Sequence, residues 1–422
     1  MPTPNDILKK YWGFDVFRKN QLEIIRSVLN KTDTLALLPT GGGKSICYQV
    51  PALCQDGICI VVSPLIALME DQVDSLKRKG IKAVAITSGM HYKDIDRELD
   101  NCIFGQTKFL YISPERLHTD LFKARFPQMN VNLIAVDESH CISQWGHDFR
   151  PSYLKINELR IAKPTVPILA VTATATQKVR QEIIEKLELK DHKEFESSFV
   201  RENLSYVNLK SDNKEMKLIE LCRKIKGSGV VYCATRNETQ EVAKLIRSNG
   251  MLVDYYHGGL NPAERSQKMQ SWMMNETRII VATNAFGMGV DKANVRFVIH
   301  FDIPNNPEAY FQEAGRGGRD GQKARAIILY QNQDLINLQK RVRSQFPDLD
   351  VVKNVYKAAC GYLRIAFGSG KDQAYPLDIQ QFAHQYNFKV GEVYNSLKVL
   401  ELNESLTLSE NWNKKTRLQL IM

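Results

Sequence analysis

The sequence predicts an α/β fold of two parallel-sheet domains in tandem, followed by a small, mostly helical extension. Short apolar runs alternate with helical patterns in two successive series, which is typical of parallel strands joined by covering helices. A polar stretch around residues 190–196 separates the two series. We therefore expect the first domain at residues 1–200, the second at 201–335 and the extension at 336–422.

The apolar runs give the predicted strands of each sheet. The first series lies at 35–38, 58–62, 83–86, 109–112, 134–136 and 168–171. The second series lies at 206–209, 229–233, 253–256, 278–282, 295–300 and 326–329. In a parallel sheet, ligands bind beyond the carboxyl ends of the strands. The residues that follow these runs are therefore the first candidates for a functional site.

Composition and charge narrow the class of protein. The 422 residues include 57 Lys and Arg against 47 Asp and Glu, a formal net charge of +10. This charge favours a polyanionic partner. Nucleic acid is favoured over an anionic membrane because no strongly amphipathic basic helix stands out in the sequence. No apolar run is long enough to span a bilayer, and the start of the chain lacks a secretory pattern. The eight cysteines never form Cys-x-x-Cys, which predicts reduced, buried thiols, a cytoplasmic location and no zinc site.

A glycine-rich segment after the first predicted strand has the chemistry of a triphosphate-binding loop. It reads Leu38-Pro39-Thr40-Gly41-Gly42-Gly43-Lys44-Ser45. Its glycines would let backbone N–H groups surround phosphate oxygens, and the helix that follows adds a partial positive charge. Lys44 would reach the β- and γ-phosphates, and the Ser45 hydroxyl would bind Mg²⁺. Leu38 stands where the general pattern has glycine, and a glycine turn that merely precedes a lysine is the alternative.

An acidic pair, Asp137 and Glu138, follows the predicted strand that ends at residue 136. Asp137 would hold Mg²⁺ through water, and Glu138 would deprotonate the water that attacks the γ-phosphate. Taken alone, an acidic strand end could simply cap the next helix. Combined with the Lys44-Ser45 loop, it predicts a site that binds and hydrolyses a nucleoside triphosphate.

The second predicted domain lacks a Lys-Ser loop but carries a segment rich in Gly and Arg at 312–321. Arg316 and Arg319 are three residues apart and are predicted to share one helical face. An arginine inserted at the γ-phosphate from a second domain stabilises charge in the transition state. A salt-bridged helix end is the alternative. We expect ATP to bind in the cleft, where domain closure adds Gln312, Arg316 and Arg319 to the site.

These motifs, in this order, resemble the RecQ family of superfamily-two DNA helicases over roughly residues 10–330. The family implies two RecA-like domains of the P-loop NTPase fold, and its phosphate loop shares the non-glycine first position. The segment 12–21 is similar to the family's adenine-binding motif, in which Phe14 would stack on the base and Arg18 and Gln21 would contact it. The resemblance also assigns Asp291 to the ATP site.

Further matching segments imply contacts with DNA and between domains. The segments 62–69, with Ser63 and Pro64, and 111–117 resemble motifs that grip the DNA backbone. The segment 170–175 resembles the motif that couples ATP state to domain movement. The segments 232–236 and 280–289 match motifs of the second domain.

The most specific resemblance is an aromatic-rich segment at 139–151, which separates RecQ helicases from other DExH ATPases. Trp145, His147 and Phe149 offer flat faces on which unpaired bases can stack, and Arg150 can pair with phosphate or stack as a cation. The segment starts directly after Glu138, which gives a short path from DNA to the catalytic acid. Burial of these aromatics in a core is the alternative, but interleaved Gly, Asp, Arg and Pro disfavour it.

The chain departs from the family pattern beyond the second domain. RecQ proteins commonly carry a helical hairpin and four zinc-binding cysteines there, whereas Cys360 is the only cysteine after Cys233. We therefore expect no zinc. Helical patterns at 350–366, 378–386 and 390–402 and a candidate strand at 405–408 resemble a winged helix. A plain helical hairpin is the alternative.

The resemblance implies a DNA-binding enzyme that uses ATP and Mg²⁺ to move 3′-to-5′ on single-stranded DNA. Its expected work is the unwinding of forked DNA in repair and recombination, in the cytoplasm or, in a bacterium, at the nucleoid. One alternative is a DNA-binding module whose ATP site only switches conformation, which the intact set of Glu138, Gln312, Arg316 and Arg319 disfavours. Another is an RNA-dependent DExH ATPase, since base stacking does not depend on the sugar.

Overall fold

The computed structural model divides the chain into two compact units, Met1–Leu329 and Tyr330–Met422. The structure describes residues 2–39, 41–87, 89–143, 149–198, 200–286, 292–366, 369, 373–403, 405–411 and 414–420. The first unit contains two sheets covered by helices, and the second contains helices and a smaller sheet. Within these described ranges, no helix has both the length and the apolar character needed to cross a membrane.

The first sheet consists of seven strands. They are β1 (Thr34–Leu37), β2 (Ile58–Val62), β3 (Ala83–Ile86), β4 (Phe109–Ile112), β5 (Val131–Val136), β6 (Ile168–Thr172) and β7 (Lys193–Glu196). Their order is β3-β4-β2-β5-β6-β1-β7, and all pair in parallel. Strands β1, β2, β4 and β6 are buried along their whole length because helices cover both faces.

Among the described residues of this domain, eight α-helices accompany the sheet. They are α1 (Pro4–Trp12), α2 (Gln21–Leu29), α3 (Ile46–Cys54), α4 (Ile66–Arg78), α5 (Tyr92–Phe104), α6 (Asp120–Arg125), α7 (Asn157–Ala162) and α8 (Gln177–Lys186). Short 3-10 helices lie at Pro114–His118, Phe126–Gln128, Ser139–Ile142 and Pro151–Lys155. Helix α1 begins with a reciprocal capping box between Thr3 and Asp6 and ends at Gly13, whose φ is 72°.

The second sheet has six strands. They are β8 (Leu204–Lys210), β9 (Ser228–Tyr232), β10 (Val253–Tyr256), β11 (Ile279–Ala282), β12 (Val295–His300) and β13 (Ala324–Tyr330), in the order β10-β11-β9-β12-β13-β8. Its helices are α9 (Lys214–Lys224), α10 (Arg236–Ser248), α11 (Pro262–Met273) and α12 (Pro307–Ala314). The pairs from β10 to β13 are parallel, so their carboxyl ends lie at one edge of the sheet.

In the part of the second unit that the structure describes, there are four helices and three antiparallel strands. They are α13 (Asn332–Gln345), α14 (Leu349–Leu363), β14 (Ala374–Leu377), α15 (Ile379–Gln385), α16 (Val390–Leu402), β15 (Leu406–Asn411) and β16 (Lys414–Leu420). A core that includes Leu377, Phe382, Val393 and Leu397 joins helices to the sheet. From α14 onward, the order helix, strand, helix, helix, strand, strand is that of a winged helix. The sheet therefore favours this interpretation over a plain helical hairpin.

All eight cysteines are free and buried, as the sequence predicts. Burial raises the pKa of the Cys47 thiol to about 12 and that of Cys54 to about 11. Desolvation disfavours the thiolate, so these side chains behave as small apolar groups.

Candidate nucleotide-binding and hydrolysis site

The predicted phosphate loop connects the end of β1 to the start of α3. Gly41 and Gly43 have φ angles of 79° and 75°, a left-handed conformation that glycine adopts without steric cost. The N–H of Gly42 donates to the Pro39 carbonyl at 2.8 Å, which closes a tight turn. Ser45 is the N-cap of α3, yet its side chain makes no capping hydrogen bond within the described part of the chain. Thr40 lies outside the described residues.

The Gln21 carboxamide lies against this loop. Its Nε2 donates to the carbonyls of Gly42 and Gly43, each at 3.2 Å, and its Oε1 accepts from the Arg18 N–H at 2.9 Å. The side chain is buried, and a Cβ atom on Gly43 would collide with Nε2. The structure thus places Gln21 as a brace for the phosphate loop, a contact that the sequence did not predict.

Phe14 and Arg18, the other residues assigned to adenine, line the cavity next to this loop. Phe14 is 53% exposed and lines the cavity, which is compatible with stacking of its ring on a base. The Arg18 guanidinium donates to the Gly41 carbonyl. Arg18 therefore also supports the loop.

Asp137 and Glu138 follow β5 directly. The Asp137 N–H donates to the Val62 carbonyl at 2.9 Å, which continues the pairing of β5 with β2. Burial, and next the charge of Glu138, raises the pKa of Asp137 to about 7, while Lys44 opposes the shift. A divalent cation would stabilise the ionised carboxylate, so this donor fits Mg²⁺. Glu138 has a φ of 46°, uncommon for a residue with a side chain and frequent at functional sites.

His140 connects the acidic pair with the end of β6. Its Nδ1 lies 3.4 Å from Glu138 Oε2 and 2.8 Å from Thr172 Oγ1. The Thr172 hydroxyl donates to the Thr174 carbonyl at 3.2 Å, so it accepts from His140, and the imidazole proton lies on Nδ1. His140 therefore lies between the Glu138 carboxylate and the segment 170–175, and it is hydrogen-bonded to that segment through Thr172.

The two arginines of the second sheet lie beyond the end of α12. This helix ends at Ala314, and residues 315–320 form consecutive turns. The prediction that Arg316 and Arg319 share a helical face is therefore wrong. Glycines explain the difference, because Gly318 has a φ of 59°, which an α-helix does not contain.

Side chains next to β8 hold these turns in place. Arg201 donates to the carbonyl of Gly315 at 3.0 Å and also to that of Gly318. Asn203 Nδ2 donates to the Gly318 carbonyl at 2.7 Å. A Cβ on Gly318 would lie 2.6 Å from Asn203 Nδ2, so glycine is required for this close approach.

A cavity of about 520 Å³ is lined by residues of both sheets' loops. From the first, it includes most of the predicted site: Phe14, Arg18, Gln21, Gly41, Gly43, Lys44, Ser45, Asp137 and Glu138. From the second, it includes Ala293, Gln312, Arg316 and Arg319. The structure therefore brings together Lys44 and Arg319, which are 275 positions apart in the chain.

Several lining residues were missed by sequence reasoning. They are Leu8 and Trp12 of α1, Tyr48 and Gln49 of α3, Leu68, Gln72 and Ser75 of α4, and Lys79 at the C-cap of α4. The last four recur at the spacing of one helical face. That spacing could have identified one face of α4, but it could not have shown that this face lines the cavity.

The residues assigned to DNA are described only in part. Ser63 is 1% exposed, and within the described ranges its hydroxyl has no hydrogen-bond partner. Arg150 donates to the carbonyl of Pro64 at 2.8 Å, so it links the aromatic-rich segment to the segment after β2. Phe149 is half-buried. Trp145 and His147, like Asp291, lie outside the described residues.

Comparisons with known proteins place this site in a family. A DEAD/DEAH box helicase model matches residues 18–183, and a helicase conserved C-terminal domain model matches residues 213–321. The chain is 43% identical to an ATP-dependent DNA helicase RecQ of Haemophilus influenzae, over 80% of this chain and 55% of that protein. It is also 43% identical to RecQ of Bacillus subtilis, over 78% of this chain and 56% of that protein.

The chain belongs to the RecQ helicase family. A probable ATP-dependent DNA helicase RecS of Bacillus subtilis is similar as well, with 43% identity over 76% of this chain and 66% of that protein. The chain spans little more than half the length of the first two of these relatives. The match therefore covers the helicase region of a RecQ protein.

Solved structures agree with this RecQ assignment at the level of fold. S. cerevisiae Dbp5 bound to RNA and ADP BeF3 superposes with a TM-score of 0.63 at 19% identity, covering 81% of this chain and 91% of that chain. The DUF1998 helicase MrfA bound to DNA gives a TM-score of 0.66 at 18% identity, covering 100% of this chain and 63% of that chain. These likenesses confirm the predicted pair of RecA-like domains.

Proposed function

We propose that this RecQ-family chain is an ATP-dependent DNA helicase that moves 3′-to-5′ along single-stranded DNA and separates duplex strands. One observation carries the proposal: Lys44, Asp137 and Glu138 of the first domain face the same cavity as Arg316 and Arg319 of the second. A site divided in this way can be completed or opened by domain movement, which is how hydrolysis is coupled to translocation.

The residues of the first domain that line the cavity support separate roles in phosphate binding, Mg²⁺ binding and catalysis. The loop N–H groups and Lys44 would bind the β- and γ-phosphates, and Ser45 and Asp137 would hold Mg²⁺, largely through water. Bound Mg²⁺ supplies positive charge to the phosphate oxygens. Glu138 would accept the proton of the attacking water, and the His140 imidazole, 3.4 Å from its Oε2, would limit the positions that the carboxylate can take.

The second domain would stabilise the transition state. Arg316 and Arg319 would neutralise charge on the transferred γ-phosphoryl group, and Gln312 would orient the attacking water or a γ-phosphate oxygen. The nucleotide base would lie near Phe14, Arg18 and Gln21, because these residues line the same cavity. Thr40, Gly42 and Asp291 are proposed as further nucleotide contacts.

The proposed partners are single-stranded and forked DNA. The net charge of +10 and the names of the relatives support a DNA substrate. We assign backbone contacts to Ser63 and Pro64, and base stacking to Trp145, His147 and Phe149, with Arg150 beside them. The proposed role is DNA repair and recombination in the cytoplasm or nucleoid.

Two further proposals concern organisation. We propose domain boundaries near residues 200 and 335, since β7 ends at Glu196, β8 begins at Leu204 and α13 begins at Asn332. We also propose that the chain binds no structural zinc, because a single cysteine beyond Cys233 cannot supply a four-thiolate site.

A side-by-side measurement tests the proposed function. ATP turnover is measured with no nucleic acid, single-stranded DNA, duplex DNA and RNA, and strand separation is measured on duplexes with a 3′ or a 5′ single-stranded tail. We expect the strongest stimulation by single-stranded DNA and separation only of the 3′-tailed duplex. Stimulation by RNA alone would identify an RNA-dependent ATPase, and ATP binding without turnover would identify a conformational switch.

A further inference from the structure

Arg316 is a buried cation with a specific acceptor. Its side chain is 7% exposed, and its Nε donates to the hydroxyl of Tyr232 at 2.7 Å. A buried guanidinium needs acceptors that fix it, because desolvating the charge is costly. The direction in which Arg316 points therefore depends in part on the position of the Tyr232 hydroxyl group.

The same hydroxyl is tied to a second segment. Tyr232 lies at the end of β9, and its OH donates to the Phe286 carbonyl at 2.9 Å. A tyrosine hydroxyl has one proton, so it must accept from Arg316 while it donates to Phe286. Phe286 lies beyond the end of β11, four residues after Ala282. The hydroxyl therefore joins the arginine to a loop at the carboxyl edge of the second sheet.

The Tyr232 ring is itself held rigidly. It stacks on the buried His300 ring, with centroids 5.4 Å apart and an interplanar angle of 18°. His300 Nε2 pairs with Glu313 Oε2 at 2.8 Å, and Glu313 follows Gln312 on α12. Burial raises the pKa of Tyr232 to about 12, so the hydroxyl keeps its proton at physiological pH. A rigid, neutral donor–acceptor group is suited to orienting a charged neighbour.

We infer that Tyr232 is a positioning residue for Arg316, which it aligns toward the γ-phosphate and links to the segment that contains Phe286. The inference rests on the proposed function, because it requires Arg316 to act in hydrolysis. It adds a residue that touches neither nucleotide nor DNA. Movement of the segment that contains Phe286 would be transmitted to Arg316 through the Tyr232 hydroxyl oxygen.

The test removes that oxygen and leaves the ring. Tyr232→Phe preserves the stack on His300 but leaves Arg316 Nε–H without this acceptor. We expect kcat for ATP with single-stranded DNA to fall about tenfold, since one hydrogen bond to a charged group has that effect on a rate. KM for ATP should stay within about twofold, because the phosphate loop and Lys44 supply ground-state binding.

Tyr256→Phe is the matched control. Tyr256 is also buried and its ring packs on Phe286 with centroids 4.9 Å apart, yet within the described chain no hydrogen bond joins it to Arg316. This variant removes the same atom type from the same apolar cluster. Its kcat should remain within about twofold of wild type.

A double-variant cycle distinguishes an effect of Tyr232 on the alignment of Arg316 from a general effect on the stability of the protein. If Tyr232 acts through Arg316, Tyr232→Phe should have no further effect on kcat in an Arg316→Ala background. A normal kcat in Tyr232→Phe overturns the inference. It is also overturned if the fold-reductions in kcat of the two single variants multiply in the double variant. A lowered Tm with unchanged kcat also overturns it, since that is a structural role alone. Normal kcat in Arg316→Ala instead overturns the proposed function.

Discussion

Arg319 lies against Gly41. A Cβ atom at Gly41 would come within 3.2 Å of Cγ and 3.4 Å of Cδ of Arg319, so the arginine stem packs on the bare backbone of the phosphate loop. The two residues belong to different RecA-like domains of one compact unit. A Cβ atom at position 41 would require the arginine stem to shift by a few tenths of an ångström. Glycine is needed here both for its φ of 79° and for this approach.

Arg319→Ala is expected to reduce ATP turnover by roughly a thousandfold or more, the typical contribution of an arginine finger. ATP affinity should change little, because Lys44 and the loop N–H groups belong to the first domain. Steady-state kinetics and nucleotide titration check the two quantities separately. Arg325→Ala, which removes an exposed arginine from β13, is the matched control. Unchanged turnover with poor thermal stability would show that Arg319 is a structural residue.

Glu138→Gln should bind ATP and Mg²⁺ but lose nearly all turnover, because the amide cannot accept the proton of the attacking water. Lys44→Ala should weaken both ATP binding and turnover. The exposed Glu241→Gln on α10 serves as the control for loss of one carboxylate. Near-normal hydrolysis by Glu138→Gln would exclude Glu138 as the general base.

Asp137 should make the stability of the nucleotide-free protein depend on pH. Its pKa is about 7 in the folded state and about 4 when unfolded, so its stabilising contribution is complete below about pH 4 and is lost as pH rises through about 7. Urea unfolding of wild type and Asp137→Asn, without Mg²⁺, checks this from about pH 5 to about pH 8. The wild type should lose stability relative to the variant as pH rises. A difference that is independent of pH would contradict a raised pKa.

Removal of divalent cations with EDTA should abolish ATP hydrolysis, and Mg²⁺ alone should restore it, because Ser45 and Asp137 are oxygen donors suited to this ion. Metal analysis of the purified chain should find no stoichiometric zinc. One zinc per chain that survives dialysis would disprove the second part of this prediction.

Arg150→Gln should reduce the stimulation of ATP turnover by DNA more than it reduces DNA affinity. Its bond to the Pro64 carbonyl links the aromatic-rich segment to the segment 62–69, whereas many Lys and Arg contacts supply affinity. The ratio of stimulated to basal turnover is compared with single-strand affinity. Arg97→Gln, an exposed arginine on α5, is the control. An equal loss of both quantities would make Arg150 an ordinary phosphate contact.

The alternation of apolar runs predicted nearly all strands of the two large sheets, often to the residue, as for β2, β3 and β4. Such strands are buried on both faces, so their sequences are continuously apolar. Strand β7 was missed because it lies at the edge and is mostly exposed, which allows the polar sequence Lys193–Glu196. Runs of apolar residues identify strands that are buried, and an edge strand buries few of its side chains.

Site residues could be predicted from the sequence where their role follows from the adjacent residues. They could not be predicted where the role depends on how distant segments pack together. Lys44, Asp137 and Glu138 follow strand ends, and that position alone implies the edge of the sheet at which they meet. The bracing role of Gln21 depends on how α2 approaches the phosphate loop, which no local pattern encodes. The prediction that Arg316 and Arg319 share a helical face was wrong because their three-residue spacing does not reveal that Gly318 has a positive φ.

The burial of every cysteine makes this chain convenient for optical experiments. Thiols that are shielded from solvent and kept protonated react slowly with maleimides and similar reagents. A cysteine introduced at an exposed site, such as Glu241 on α10, would then be the fast-reacting thiol in an otherwise native sequence. Pairing it with a second introduced cysteine at Glu23 on α2 would put a dye on each RecA-like domain. Opening and closing during the ATP cycle could then be followed by energy transfer in single molecules.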